Sequence, residues 1–129
     1  MEKYNLLCAW IGVLLGILSG AIVGMAFHKE NFLGGYNSWT RRLLRLGHIS
    51  FFGISFLNFA FVETVSYLRV EQSQLFWPSL LFIVAQITMP TVCILSAFKE
   101  PLRNLFFIPV ASTIAAAGIF IYVLQGAIR

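Results

Sequence analysis

The sequence predicts an all-α fold: one domain over residues 1–129, built as an antiparallel bundle of four transmembrane helices. Four apolar stretches, at roughly 5–27, 43–66, 75–98 and 104–126, are each long enough to cross a hydrocarbon core about 30 Å thick. Charged residues make up 11% of the chain, against about 25% in a soluble domain. Mean hydropathy is +0.84. A chain this poor in charge cannot cover a water-facing surface.

The first stretch is predicted to be a retained helix. Its apolar core is longer than the roughly 7–15 residues of a signal peptide, and only one basic residue, Lys3, precedes it. Glycines recur at every fourth position and should form a groove along one side of this helix: Gly12, Gly16, Gly20 and Gly24. We expect the groove to pack helices within the monomer. The alternatives are packing against a second copy or a partner subunit, and a flat cofactor lying on the glycines.

The loop before the second stretch should end in a capped, basic helix start. Gly34 and Gly35 break the chain, and Asn37 or Ser38 can cap the next helix. Three arginines project from its first turns and are predicted to bind lipid phosphates: Arg41, Arg42 and Arg45. The acidic surface of a partner subunit is the alternative ligand.

The second stretch carries a polar face. His48, Ser55 and Asn58 lie within about 80° of one another at 100° per residue. This face should point into the bundle, because unpaired polar groups are costly in lipid. Gln86 lies at a similar depth on the third helix, which predicts an Asn58–Gln86 hydrogen bond joining the two helices.

Two prolines and a run of small residues mark the last two stretches. Pro90 should kink the third helix and free a backbone carbonyl, and Pro101 suits a helix start. The fourth stretch offers a second small face: Ala111, Ser112, Ala115, Ala116 and Gly118.

Five side chains of metal-binding type share the predicted cytoplasmic leaflet: Met25, His28, His48, Met89 and Cys93. His48 with His28 or Met89 would suit the two axial positions of a b-type haem. The whole set would suit copper(I). The competing interpretation has no cofactor, since interfacial histidines are ordinary, methionine fills gaps and a buried cysteine is usually inert.

Glu63 is the acidic residue closest to an apolar core and could mark an ion path. The helix surfacing at that point is the alternative. The chain has no aspartate, no HExxH or GxSxG motif and no Walker-type glycine loop, so hydrolytic or nucleotide-driven activity of the isolated chain is not expected.

The basic residues predict the orientation. Six of them lie in or beside loops one and three: Lys29, Arg41, Arg42, Arg45, Lys99 and Arg103. Three lie on the other side: Lys3, Arg69 and Arg129. Loops one and three should therefore face the cytoplasm and both termini the outside, with a bacterial inner membrane as the default. The net charge of +4 comes from basic residues between the apolar stretches, where they would meet lipid headgroups, and does not indicate nucleic-acid binding.

The predicted function is that of a small membrane subunit or accessory protein within a homo-oligomer or a larger complex. The second hypothesis is an electron-transfer subunit that binds haem or quinone. The third is a small channel or carrier lined by Asn58, Gln86 and Glu63.

Overall fold

The computed structural model describes residues 2–68 and 70–128 and shows an all-helical chain, with no strand in that part of the sequence. Four long helices follow in order: α1 (Glu2–Phe27), α2 (Trp39–Leu68), α3 (Phe76–Phe98) and α4 (Phe107–Ile128). Each is long and apolar enough to cross a membrane. The predicted helical class and the count of four are therefore confirmed.

The helix boundaries follow local chain chemistry. The Arg41 backbone N–H donates to Ser38 Oγ at 3.3 Å, so Ser38 caps α2, which begins at Trp39, before the predicted start at 43. Pro101 lies in the first turn of a 3₁₀ segment, Glu100–Phe106, that leads into α4. Pro90 is accommodated inside an unbroken α3.

Loop one, which is residues 28–38 between α1 and α2, turns sharply through left-handed backbone. Gly34 and Gly35 have φ values of 83° and 86°, and Leu33, with φ 53°, is a rare non-glycine residue in that region. The two glycines therefore have the role that the sequence predicts for them, which is to end one structural element before the next begins.

Helices α2 and α3 form the central pair, with α1 packed on one side and α4 on the other. Side-chain contacts show that neighbouring helices run in opposite directions. Asn5 meets Asn58, whereas Ser19, which comes later in α1, meets His48, which comes earlier in α2. Likewise Trp39, at the start of α2, meets Ser96 near the end of α3. A cluster of buried apolar residues lies where α2, α3 and α4 meet: Phe61, Val62, Val65, Val70, Leu75, Phe82, Ala116, Phe120 and Val123. The opposite side, where α1 meets α2 and α3, has a polar interior.

Candidate functional site

The interior between α1, α2 and α3 contains five buried polar side chains, each exposed by 6% or less: Asn5, Ser55, Asn58, Ser79 and Gln86. We call these five residues the polar cluster. In an apolar setting each of these groups must find a hydrogen-bond partner or lose several kcal/mol. The cluster therefore dictates how the three helices fit together.

Asn5 links all three helices. Its Nδ2 donates to Asn58 Oδ1 at 2.8 Å and to the Ser79 backbone oxygen at 3.1 Å. Its Oδ1 accepts a hydrogen bond from Ser79 Oγ. Asn5 was missed as a site residue in the sequence because it stands at the start of an apolar stretch. It lies seven residues before Gly12, which places the two residues within about 20° on one helix face. That spacing indicates that Asn5 shares the packed glycine face of α1.

The rest of the cluster joins α2 to α3. Asn58 Nδ2 donates to Gln86 Oε1 at 3.4 Å, so the predicted pair is present. The shorter hydrogen bond of Asn58 is the one that its Oδ1 accepts from Asn5, at 2.8 Å. Ser55 Oγ donates to the same Gln86 oxygen at 3.3 Å, and Gln86 Nε2 donates to the Phe51 backbone oxygen at 3.3 Å. The cluster is a network that holds the helices in one register.

Three of the four α1 glycines lie directly against side chains of α2 or α3. Gly12 meets Ser55 and Gln86, a Cβ on Gly16 would lie 2.7 Å from the Phe52 ring, and one on Gly20 would lie 2.6 Å from the His48 ring. A Cβ on the fourth, Gly24, would have no atom within 4 Å. The part of the predicted groove that is filled therefore ends at Gly20, one turn before Gly24. On α4, by contrast, the small face is divided, with Ser112 and Ala116 buried and Ala111, Ala115 and Gly118 exposed.

The prediction that Arg41 binds lipid phosphates is wrong, because its side chain is buried under loop one. Its side chain is 3% exposed, and its guanidinium lies 4.7 Å from the centre of the Phe27 ring. Its Nε donates to the Phe32 backbone oxygen at 2.5 Å, and Nη2 donates to the Lys29 backbone oxygen. Loop one folds back over the start of α2, and Arg41 satisfies carbonyl groups that this fold removes from water.

The other two arginines of that turn differ. Arg45 is half-buried, donates to the Tyr36 backbone oxygen at 3.1 Å and stacks 4.3 Å from the centre of the Tyr36 ring. Arg42 is exposed. For Arg42 the contact with lipid phosphates stays a prediction, while Arg45 holds loop one through Tyr36.

His48 lies between α1 and α2. Its Nδ1 is 3.1 Å from Ser19 Oγ, and its ring packs edge-on to Phe52 with 5.5 Å between centroids. The half-buried imidazole fills the space that Gly20 leaves on α1. Its position is explained by helix packing.

The predicted cofactor ligands lie in different surroundings. His28 is exposed in the turn after α1, and Met25 is 74% exposed on the surface of that helix. Cys93 is buried against Gly47 between α2 and α3, and Met89 is half-buried on α3. Within residues 2–68 and 70–128, no three His, Cys, Asp or Glu side chains lie close enough to share a metal ion. His28 and Met25 are therefore on the surface, whereas His48 and Cys93 lie in helix interfaces.

Glu63 is exposed near the end of α2, where it borders a shallow surface depression with Thr64, Tyr67 and Leu68. It does not join Asn58 and Gln86 in the polar cluster, so the predicted interior ion path is not formed. The alternative, that the helix surfaces at this point, fits the observed exposure.

A groove lies beside the polar cluster, between α1 and α3. Its volume is about 210 Å³, and nine residues line it: Cys8, Ile11, Gly12, Leu15, Phe51, Gln86, Ile87, Pro90 and Thr91. Gln86 belongs to both features, because its side chain reaches from the cluster to the groove. No protein-family model, no curated protein and no solved structure matches this chain.

Proposed function

We propose that this chain is an integral membrane protein that serves as a small subunit or accessory protein in a homo-oligomer or a larger membrane complex. The supporting observation is the apolar surface that α1 and α4 leave uncovered. On α1 it includes Leu7, Trp10, Leu14, Ile17 and Ile22, each at least 51% exposed. On α4, Ile114 and Ile121 are 68% and 56% exposed. Contiguous apolar surface of this length needs lipid or a partner helix to cover it.

The interior polar groups support a packing role for the core. The amides of Asn5, Asn58 and Gln86 bond to one another and to backbone carbonyls, which fixes α1, α2 and α3 as one unit. The glycine face of α1 is occupied by α2 and α3. A partner subunit would therefore contact the opposite side of α1 or the outer side of α4.

The exposed aromatic rings support two interfacial belts. The basic residues of loops one and three support the placement of these loops in the cytoplasm. Four exposed rings lie towards one end of the bundle: Tyr4, Tyr67, Trp77 and Tyr122. Tyr36 and Trp39 lie at the other end. Of the basic residues counted for orientation, Arg69 and Arg129 lie outside the described residues.

Cysteine labelling tests this orientation. In a background with both native cysteines replaced by serine, Tyr36→Cys in intact bacterial cells should resist a membrane-impermeant maleimide and react in inverted vesicles. Tyr67→Cys, the control, should react in intact cells. The opposite pattern would reverse the topology, and labelling of both sites in intact cells would argue against a membrane span between them.

Purification in a mild detergent tests the proposed role. The protein should stay in the membrane fraction through alkaline extraction and then elute either as a homo-oligomer or with other subunits in fixed stoichiometry, measured by light scattering and mass spectrometry. A monodisperse monomer without a stoichiometric partner would contradict the subunit role. A Soret band in the same sample that is lost in His48→Ala would replace it with the haem hypothesis.

A further inference from the structure

The groove between α1 and α3 has the size and lining of a site for one small ring. Its volume is about 210 Å³, and a cavity of about 150 Å³ in another protein holds benzene. Ile11, Leu15 and Ile87 supply apolar walls, and Gly12, against which the Gln86 side chain packs, also lines the groove. One side of the groove opens towards the surface between the helices, which leaves a route for a chain attached to the ring.

Gln86 supplies hydrogen-bonding groups at this groove. Its side chain is 6% exposed, and its amide nitrogen carries two N–H groups. Among the described residues it has one acceptor, the Phe51 backbone oxygen, so the second N–H is free to bind a ligand oxygen. Pro90 has no N–H, so the backbone carbonyl of Gln86 also lacks its usual helical donor.

The depth of Gln86 restricts the chemistry of the ligand. It is near the middle of α3, Phe76–Phe98, and so about 15 Å from either helix end at about 1.5 Å per residue. The ester carbonyls of membrane lipids lie at the edges of a core about 30 Å thick and cannot reach it. The ligand must therefore carry a carbonyl or hydroxyl on a body apolar enough to enter the centre of a bilayer.

We propose that this groove binds the ring of a prenylated quinone. One quinone carbonyl accepts a hydrogen bond from Gln86 Nε2, and a hydroxyl of the reduced quinol donates to the Gln86 backbone oxygen. The isoprenoid tail leaves along the open side of the groove. This inference rests on the membrane placement proposed above but not on the subunit role.

Equilibrium binding to the purified protein in lipid nanodiscs tests the site. The probe is decylubiquinone, and decylbenzene is the comparator that has a ring and a chain but no oxygen. Saturable binding of one decylubiquinone per chain is expected, with no saturable binding of decylbenzene. Recovery of the protein in nanodiscs tests the membrane placement separately, so failure of that placement is distinguishable from failure to bind the quinone.

Two variants locate the site. Ile87 is 60% exposed at the rim, so Ile87→Trp fills the groove without entering the core and should weaken decylubiquinone binding about tenfold or more. Its control is Leu95→Trp on the same helix, at a 47% exposed position outside the groove, which should leave binding unchanged. Gln86→Met keeps the side-chain length but removes the amide, and should reduce quinone affinity by about tenfold.

Three results would overturn the proposal. They are the absence of saturable decylubiquinone binding, equal binding of decylbenzene, and full binding by Ile87→Trp. Because Ile87→Trp leaves the polar cluster intact, it keeps the test valid even if Gln86→Met fails to fold.

Discussion

Replacement of Asn5 by leucine tests whether the polar cluster holds α1 to the central helices. Leucine has a similar volume, so the main loss is three hydrogen bonds, two with Ser79 and one with Asn58. Interhelical bonds in membrane proteins average about 0.6 kcal/mol each, and groups left unpaired in the interior cost about 1–3 kcal/mol. We therefore expect Asn5→Leu to lower the free energy of unfolding by about 2–3 kcal/mol.

Reversible unfolding by SDS in mixed micelles, followed by circular dichroism, measures this loss. The matched control is Gln125→Leu, which removes an exposed amide from α4 and should shift the free energy by less than about 0.5 kcal/mol. A double-mutant cycle with Asn58→Leu should show coupling between the two sites, because they share a hydrogen bond. Equal stability of Asn5→Leu and the unmodified protein would refute the idea that the cluster holds α1 in place.

Two further pairs of variants separate buried from open positions. Gly16→Leu should lower the free energy of unfolding by about 1–3 kcal/mol, because its side chain would enter the space of the Phe52 ring, whereas Gly24→Leu should be neutral. The same SDS titration measures both variants. Equal stability of the two would contradict the role of the α1 glycines in packing against α2. Arg41→Gln should speed proteolytic cleavage of loop one severalfold by releasing its carbonyl contacts, whereas the exposed Arg42→Gln should not. Equal cleavage rates for these two variants would contradict the assigned role of Arg41.

Features that depend on local composition could be predicted from the sequence. The number of helices follows from the length of each apolar run, and the caps and turns follow from residues such as Ser38 and Gly34. The inward direction of Asn58 follows from the spacing of polar residues along one helix. Each of these inferences needs only neighbouring residues, because the cost of exposing backbone or polar groups to an apolar medium acts at each segment separately.

Contacts between distant segments were harder to predict. Arg41 looks like its neighbour Arg42 in the sequence, and only the fold of loop one over α2 separates their environments. His48 and Cys93 are predicted to share a leaflet, but His48 contacts Ser19 of α1 whereas Cys93 lies against Gly47 of α2. Depth along a helix can be counted from the sequence, whereas rotation relative to a neighbouring helix depends on which surfaces fit.

The sequence by itself therefore determined an all-helical chain with four spans of membrane length and a polar face on the second. The tertiary structure decided which helices touch, that Asn5 completes the polar cluster, and that a groove opens beside Gln86. The physical reason is that apolar content and backbone hydrogen bonding are properties of one segment. Close packing instead requires side chains from several segments to occupy one space, as Gln86 does against Gly12.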